Sequence, residues 1–311
     1  MTAVGLTGVQ GDVELARLSA LVDAKVIGAE RPAWGFANRT TIVTLVDGRR
    51  WVVQELLDPL AGRAIAQRAL SLAQRLRGAG IPAPEVVKTM AGEAPGSGVP
   101  VVVTAFVPGR LGPSLLGSDR DATLLGRLMG AVHRRLADVD TDGLHLPTDW
   151  ASPERLADLS RRRLDAIAGR VSAVTRAAVA GAIAEHLEVA WASLPNARPR
   201  FVHGDFAPAN VIVEEDRLVG LIDFEYARLA DPLLDAATFQ WLTFHFHAAR
   251  ARASWDAFTD AAGIADDAPT RAALRRLRLL RILELVEVAT RRGPAMRDRW
   301  VALLEASAGE G

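Results

Sequence analysis

A short segment in the second half of the chain places polar side chains at the ends of two apolar runs. His203, Asp205 and Asn210 come first, and the run Val211-Ile212-Val213 follows directly. A polar turn and a second apolar run come next, and that run ends at Asp223. Two short apolar runs around a polar turn predict a β-hairpin. We therefore expect Asp205 and Asn210 in a loop before one strand and Asp223 at the end of the next.

The spacing of these side chains is typical of phosphoryl transfer. Asp205, Asn210 and Asp223 match the spacing of a kinase catalytic-loop Asp, its Asn and the metal-binding Asp. Asp205 would accept or orient the proton of the attacking hydroxyl. Asn210 and Asp223 would supply a neutral and a charged oxygen, which suits a Mg²⁺ ion that shares the nucleotide phosphates. A chance surface loop is the alternative. At ~5% usage per residue type, however, the five fixed positions co-occur by chance in about one chain of this length in 10⁴. These positions are His203, Gly204, Asp205, Asn210 and Asp223.

The residues around this set resemble one family of kinases. His203-Gly204-Asp205 stands where protein kinases have His-Arg-Asp, and Asp223-Phe224-Glu225 stands where they have Asp-Phe-Gly. Both replacements resemble the aminoglycoside phosphotransferase and choline kinase superfamily of small-molecule kinases. The resemblance implies ATP or GTP with Mg²⁺, and a hydroxyl acceptor such as an aminoglycoside or other antibiotic, a sugar or an amino alcohol. No activation loop or Ala-Pro-Glu segment follows Asp223, which disfavours a protein kinase.

The resemblance also implies roles for residues outside this segment. Gly35 and Asn38 lie in a stretch that resembles the loop covering the nucleotide phosphates, although an ordinary hairpin turn is the alternative. Ala105 and Val107 end an apolar run that resembles the inter-lobe hinge, whose backbone pairs with adenine. Asp235 corresponds to the Asp that braces the catalytic loop by hydrogen bonds.

Two residues of the motif leave alternatives open. His203 belongs to the predicted catalytic set, where it either carries a proton or, the interpretation we favour, organises the loop by bonding backbone groups. Glu225 either completes the metal sphere or faces solvent after the strand.

The chain departs from the family at one nucleotide-binding position. The third strand of the family ends in a Lys that pairs with the α and β phosphates, and Gln54 stands here instead. The helix predicted from Asp58 to Gly78 has no Asp or Glu after its cap, so the carboxylate partner is missing too, with Gln67 or Arg68 near its place. The joint loss is coherent, because losing one partner alone would leave a buried charge at a cost of about 3–5 kcal/mol. An active kinase and a nucleotide-binding pseudokinase without turnover both remain open, and we favour the kinase.

Length and resemblance together predict two lobes that share a cleft. At 311 residues the chain exceeds the usual size of a single core. We expect an α+β, protein-kinase-like bilobal fold with a small β-rich nucleotide-binding lobe over residues 1–107. A larger, mostly helical catalytic and substrate-binding lobe is expected over residues 108–311. One of its helices is predicted to bury a stripe every four residues, and the aromatic run 241–247 is predicted to be core or pocket wall. The predicted stripe consists of Leu124, Leu128, Val132 and Leu136.

Composition excludes several other classes. Lys and Arg number 37 and Asp and Glu number 37, which gives no net field for nucleic acid or an anionic membrane. The absence of Cys excludes disulfides and thiolate metal sites. Residues 1–10 have no secretory-signal pattern, and no stretch resembles a membrane span. The sequence therefore predicts a cytoplasmic enzyme with a small-molecule partner and leaves its oligomeric state open.

Overall fold

The computed structural model describes residues 6–8, 11–32, 38–94, 96–189, 199–291 and 293–309. The chain divides into two compact units. The sheet unit comprises Met1–Ser114, Asp140–His145 and Ala209–Glu225, and the helical unit comprises Leu115–Val139, Leu146–Pro208 and Tyr226–Gly311.

The strands follow the apolar runs of the sequence. They are β1 (Leu6–Gly8), β2 (Val26–Pro32), β3 (Arg39–Leu45), β4 (Arg50–Glu55), β5 (Val86–Met90), β6 (Val101–Ala105), β7 (Arg110–Leu111), β8 (Arg200–Val202), β9 (Val211–Glu214), β10 (Arg217–Leu221) and β11 (Arg228–Ala230).

The helices are α1 (Asp12–Val22), α2 (Pro59–Gly78), α3 (Asp119–Leu136), α4 (Pro153–Ala166), α5 (Ala173–Val189), α6 (Leu233–Phe246), α7 (Ala248–Ala262), α8 (Ala268–Thr290) and α9 (Pro294–Gly309).

An antiparallel sheet in the order β1-β2-β3-β4-β6-β5 forms the centre of the sheet unit. Asp47 and Gly48, a residue pair that favours hairpin turns, join β3 to β4, and Gly48 has φ 83°, a left-handed value that favours glycine. Helix α1 packs on one face, where Leu18 and Leu21 share a core with Val53 and Val103.

Helix α2 packs against a second cluster of the same sheet. Ala66 contacts a group that contains Leu56 and Val102. The predicted start of this helix is confirmed, because the Asp58 carboxylate accepts the N–H groups of Leu60 and Ala61 at 3.1 and 3.0 Å. Two hydrophobic cores therefore lie on either side of β4 and β6.

Helix α3 packs closely against α7 in the helical unit, and this packing contradicts part of the predicted buried stripe. A Cβ at Gly126 would lie 2.0 Å from the carbonyl oxygen of Ser254 on α7, so this face of α3 lies directly against α7. The predicted stripe was wrong in its first half, because Leu125 and Met129 are buried where Leu124 and Leu128 were expected. The face of a helix that carries glycines can approach its neighbour most closely, and the glycines set which side is buried.

The exposure of the aromatic residues at the end of α6 contradicts part of a second prediction. Trp241 is buried as predicted, but Phe244 and Phe246 are 41% and 40% exposed and His245 is exposed. The last turn of this helix is therefore not core, and its role as a pocket wall stays a prediction.

A small antiparallel sheet followed by a mostly helical remainder confirms the predicted fold class. The assignment of nucleotide binding to residues 1–107 and of catalysis to residues 108–311 stays a prediction. Within the described part of the chain, no helix combines the length and hydropathy needed to cross a membrane.

Candidate active site

The predicted catalytic loop begins directly after β8 in the helical unit. Gly204 has φ 78°, and a Cβ there would lie 2.2 Å from the carbonyl oxygen of Tyr226. No side chain fits in that space, and L-residues rarely adopt that φ. The glycine between His203 and Asp205 is therefore required by the backbone path of the loop.

Asp235 in the first turn of α6 fixes this loop by hydrogen bonds. Its two carboxylate oxygens accept the backbone N–H groups of His203 at 2.7 Å and Gly204 at 2.8 Å. Burial raises the pKa of Asp235 to about 7, although the two N–H donors and the charge of Arg281 oppose that rise. The side chain fixes the direction of the chain as it enters Asp205.

His203 is completely buried and also bonds the loop. Its Nδ1 accepts the backbone N–H of Asp205 at 3.2 Å, so this nitrogen carries no proton. The buried ring of Phe206 lies 6.0 Å from the His203 ring and 6.4 Å from Phe258 of α7. These contacts favour the loop-organising role over proton transfer, which stays untested.

A buried charge cluster lies in the same unit. Glu284 of α8 accepts from Arg228 at 2.9 Å and from Arg281 at 2.5 Å, and Arg163 of α4 lies 3.5 Å away. Burial alone would raise the pKa of Glu284, but the three arginines hold it well below its usual range. The Arg281 guanidinium lies 4.4 Å from the ring centroid of Tyr226.

Arg281 also acts on the catalytic loop through its charge. Burial lowers the pKa of its guanidinium, but Glu284 and Asp205 raise it more, so the group stays charged. The sequence reasoning missed this residue. The signal was present, since Arg281 and Glu284 stand three residues apart in an otherwise apolar stretch of α8.

The two predicted metal ligands lie at one end of the β9–β10 hairpin, in the sheet unit. Leu221 pairs with Val211, and the Ile222 N–H donates to the Asn210 carbonyl at 2.9 Å. Asn210 directly precedes β9, and Asp223 follows Ile222 with φ 69°, a left-handed value that Asp tolerates better than most residues. The hairpin therefore brings the two backbone positions together.

This donor set fits Mg²⁺. One carboxylate and one amide oxygen form an incomplete shell, which suits an ion that keeps waters and shares substrate phosphates. The described ranges contain no group of three or more His, Cys, Asp or Glu side chains placed to hold a metal.

The predicted nucleotide-binding residues lie around the same sheet. Gly35 falls outside the described residues. Asn38 directly precedes β3, accepts the Leu57 N–H at 3.2 Å through Oδ1 and donates its amide to the Glu225 carboxylate. Gln54 lies in β4, where it pairs with Thr40 and Val102.

The predicted hinge lies beside the β9–β10 hairpin. Ala105 ends β6, and its N–H donates to the Glu85 carbonyl at 2.8 Å. Val107 Cγ1 lies 3.1 Å from the place a Cβ on Gly220 would occupy, so glycine there lets β10 approach Val107 closely. Strand β7 also pairs with β9.

The structure gives contacts for Arg68 and Glu225, whose roles the sequence left open. Gln67 is exposed, whereas Arg68 is buried and donates Nη2 to the Glu225 carbonyl at 3.3 Å. Arg68 therefore occupies the inward position near the expected helix carboxylate. The Glu225 side chain binds Asn38, a contact that neither sequence interpretation included.

Solved structures of antibiotic phosphotransferases share this fold. The GDP and kanamycin complex of an aminoglycoside 2″-phosphotransferase matches with a TM-score of 0.74 at 15% identity, over 96% of this chain and 98% of that one. Spectinomycin phosphotransferase in complex with ADP and spectinomycin matches with a TM-score of 0.65 at 12% identity, over 97% and 98%. At these identities the likeness establishes the kinase-like fold.

Among curated proteins, the chain is similar to homoserine kinases. That of Beijerinckia indica subsp. indica is 32% identical over 164 residues, which cover 51% of this chain and 47% of that protein. That of Methylocella silvestris is 28% identical over 173 residues, which cover 54% and 50%. The chain thus spans about half the length of the curated relatives it matches.

A family model covers far more of the chain than these relatives do. The model of the phosphotransferase enzyme family matches residues 28–299, which include every predicted site residue. The chain belongs to the phosphotransferase enzyme family.

Proposed function

We propose that this protein is an ATP- or GTP-dependent phosphotransferase that phosphorylates a hydroxyl group of a small molecule. The observation that carries the proposal is the β9–β10 hairpin, which holds Asn210 and Asp223 at one end with oxygen donors suited to Mg²⁺. The GDP and ADP complexes of related folds support nucleotide binding.

In the proposed reaction, Asp205 accepts the proton of the acceptor hydroxyl. The hydroxyl oxygen forms a bond to the γ-phosphorus, the bond from that phosphorus to the β–γ bridging oxygen breaks, and the nucleoside diphosphate leaves with the electron pair. Bound Mg²⁺ would neutralise phosphate charge, with Asn210 and Asp223 as its protein ligands. Asp235 and His203 keep the Asp205 backbone fixed, which preserves the geometry of proton transfer.

For the acceptor, we propose a small molecule that carries both an amine and a hydroxyl group, with the hydroxy amino acid homoserine as the first candidate. The two homoserine kinases among the curated relatives support this choice. Aminoglycosides, other antibiotics and sugars form the remaining panel, and the kanamycin and spectinomycin complexes of related folds support the first two. A pseudokinase that binds nucleotide without turnover is the second candidate, favoured by Gln54 and by the lack of a carboxylate in α2.

The test is phosphoryl transfer by the purified protein with MgATP or MgGTP against this panel, with the product identified by mass spectrometry. The matched control is Asp205→Asn, which keeps the size of the side chain. We expect transfer by the wild type and a fall of about 10²–10⁴ in rate for the variant, with MgADP affinity unchanged within a few fold. MgADP binding without transfer to any acceptor would favour the pseudokinase, and full activity of the variant would remove Asp205 from the mechanism.

A further inference from the structure

Arg281 is a buried cation that the stability of the fold does not explain. The residue is 1% exposed and lies in an apolar stretch of α8. Its Nη1 donates to Glu284, but its Nε and Nη2 have no hydrogen-bond partner among the described residues. Buried donors without partners destabilise a fold, and well-packed apolar side chains often replace buried ion pairs without loss. A charge at this position therefore points to a use other than stability.

Tyr226 connects Arg281 to the catalytic loop. The guanidinium carbon of Arg281 lies 4.4 Å from the centroid of the Tyr226 ring. The backbone of Tyr226 in turn packs against Gly204, because a Cβ on that glycine would lie 2.2 Å from the Tyr226 carbonyl oxygen. Asp205 is the next residue of the loop. One residue therefore separates the guanidinium from the backbone that positions Asp205.

Glu284 holds two arginines against Tyr226. It accepts from Arg281 at 2.5 Å and from Arg228 at 2.9 Å. Arg228 donates its Nε to the Tyr226 carbonyl at 2.9 Å and pairs with Val202 of β8, the strand that leads into the loop. The same carboxylate thus fixes Arg281 at the ring and Arg228 at the carbonyl. This network sets where the charge of Arg281 lies relative to the loop.

The charge of Arg281 acts on the two acidic side chains at the loop. Burial lowers the pKa of the guanidinium, but the carboxylates of Glu284 and Asp205 raise it more, and Tyr226 adds to their effect. Arg281 also opposes the rise in pKa that burial causes at Asp235. Because the attraction between opposite charges is mutual, Arg281 attracts the Asp205 carboxylate. The phosphates of a nucleotide are anionic and would repel that carboxylate.

Resting on the proposed function, we propose that Arg281 is a positioning residue for phosphoryl transfer, whose charge holds the Asp205 carboxylate in place against the phosphates. The guanidinium is buried and acts on the reaction through Asp205. A fixed charge in a buried site needs no reorganisation during the reaction, so its effect is larger than in water. Loss of the charge should therefore slow the transfer step and leave nucleotide binding unchanged.

The first test measures kcat and KM for the wild type, Arg281→Met and Arg281→Lys. MgATP is the donor, and the acceptor is the member of the panel above that the wild type phosphorylates fastest, beginning with L-homoserine. We expect Arg281→Met to lower kcat about 10- to 100-fold, with MgADP affinity unchanged within a few fold. Arg281→Lys should keep most of the rate, because its ammonium retains the charge.

Arg276→Met is the matched control. Arg276 is also a buried arginine of α8, and its Nη1 donates to Glu185 of α5 at 2.7 Å. Its Nε likewise has no hydrogen-bond partner in the described part of the chain. The variant removes a similarly buried cation that bonds a different helix. It should keep the wild-type kcat even where it lowers the midpoint of thermal unfolding.

The second test repeats Arg281→Met in the Asp205→Asn background. If Arg281 acts through the charge of Asp205, its removal should cause no further loss of rate once that charge is gone. A merely structural Arg281 would lower kcat by the same factor in both backgrounds. Thermal unfolding checks that each variant folds, and Arg281→Gln replaces Arg281→Met in both tests if the methionine variant does not fold.

An unchanged kcat in Arg281→Met would overturn the inference while leaving the proposed function intact. The same holds for an equal loss in Arg276→Met, for a lysine variant as slow as the methionine variant, and for equal losses in the two Asp205 backgrounds. A wild-type protein that phosphorylates no acceptor would overturn the proposed function, and this inference with it.

Discussion

Asp223 combines a predicted metal-binding position with an unusual backbone conformation. Its φ of 69° costs most L-residues about 1–2 kcal/mol, but Asp and Asn enter this region readily. Asp223→Asn therefore removes the charge and leaves the backbone preference unchanged, which separates the two contributions.

We expect Asp223→Asn to weaken MgADP binding by about ten-fold or more, because a charged oxygen ligand becomes neutral. The midpoint of thermal unfolding without ligand should stay close to that of the wild type. Calorimetry and an unfolding scan measure the two quantities. Unchanged MgADP affinity would show that Asp223 is not a metal ligand.

Asp235 predicts a pH dependence of stability. Its pKa is about 7 in the folded protein against an ordinary 3.8, mainly because of burial, so the folded state holds the proton more tightly. The contribution of Asp235 to stability is therefore fully present below about pH 4 and is lost as the pH rises to about 7. Three pKa units correspond to about 4 kcal/mol.

The measurement is urea unfolding of the wild type and Asp235→Asn between pH 4 and pH 7. Asparagine does not titrate, so the free energy of the wild type minus that of the variant should fall as pH rises. A difference that rises with pH would mean that the N–H bonds from His203 and Gly204 outweigh the cost of burial.

The proximity of some candidate site residues could be predicted from the sequence, and that of others could not. The proximity of Asn210 and Asp223 was predictable, because a hairpin brings together residues that are near each other in the chain. The contact of Arg68 with Glu225 joins residues 157 positions apart, and it depends on which side of α2 faces inward. Spacing within one segment carries no information on such a pair.

At the scale of elements, the glycines of α3 decide how two helices pack. Gly126→Ala would place a Cβ 2.0 Å from the Ser254 carbonyl oxygen, so α3 and α7 must separate. We expect a loss of about 1–3 kcal/mol in the free energy of unfolding, the usual cost of overpacking.

The same substitution at Gly181 of α5 is the control, because nothing lies within 4 Å of a Cβ there. Gly181→Ala should stabilise the protein by about 0.5–1 kcal/mol, since alanine is the better helix former. Chemical denaturation of both variants measures the two changes. Effects of the same sign would contradict the packing assigned to α3.

The strands were predictable where local chemistry determines them, and helix faces were less so. Asp47-Gly48 is a strong turn signal, and the hairpin of β3 and β4 forms around it as expected. The periodicity of α3 predicts a helix correctly, but two adjacent apolar stripes compete for burial. Gly126 and Gly130 resolve that competition through α7, a partner more than a hundred residues away in the chain.

At the scale of the whole molecule, zero net charge conceals a concentrated cluster of buried charge. Glu284 is the acidic group that faces Arg163, Arg228 and Arg281 together. Its pKa is depressed by these arginines against the effect of burial, so its contribution to stability is present above about pH 4.5 and is lost on acidification.

We expect Glu284→Gln to lower the free energy of unfolding by about 3–5 kcal/mol, because the arginines lose their buried counter-charge. Glu287 lies on the same helix as Glu284 and pairs with Arg163 and Arg291, but its side chain is 40% exposed. Glu287→Gln should therefore cost less than about 1 kcal/mol. Urea unfolding at pH 7 compares the two, and similar losses would contradict the role given to the cluster.

The replacement of lysine by glutamine at position 54 affects how this protein is detected. An acyl phosphate attached to ATP can transfer its acyl group only to a nucleophilic amine, such as that of a lysine, beside the bound phosphates. This chain has two lysines, Lys25, three positions after the last residue of α1, and Lys88, whose Nζ bonds the Leu21 carbonyl and Asp23 at the end of α1. Neither belongs to the proposed nucleotide site. A proteome-wide survey with such reagents would overlook this protein even when it binds ATP.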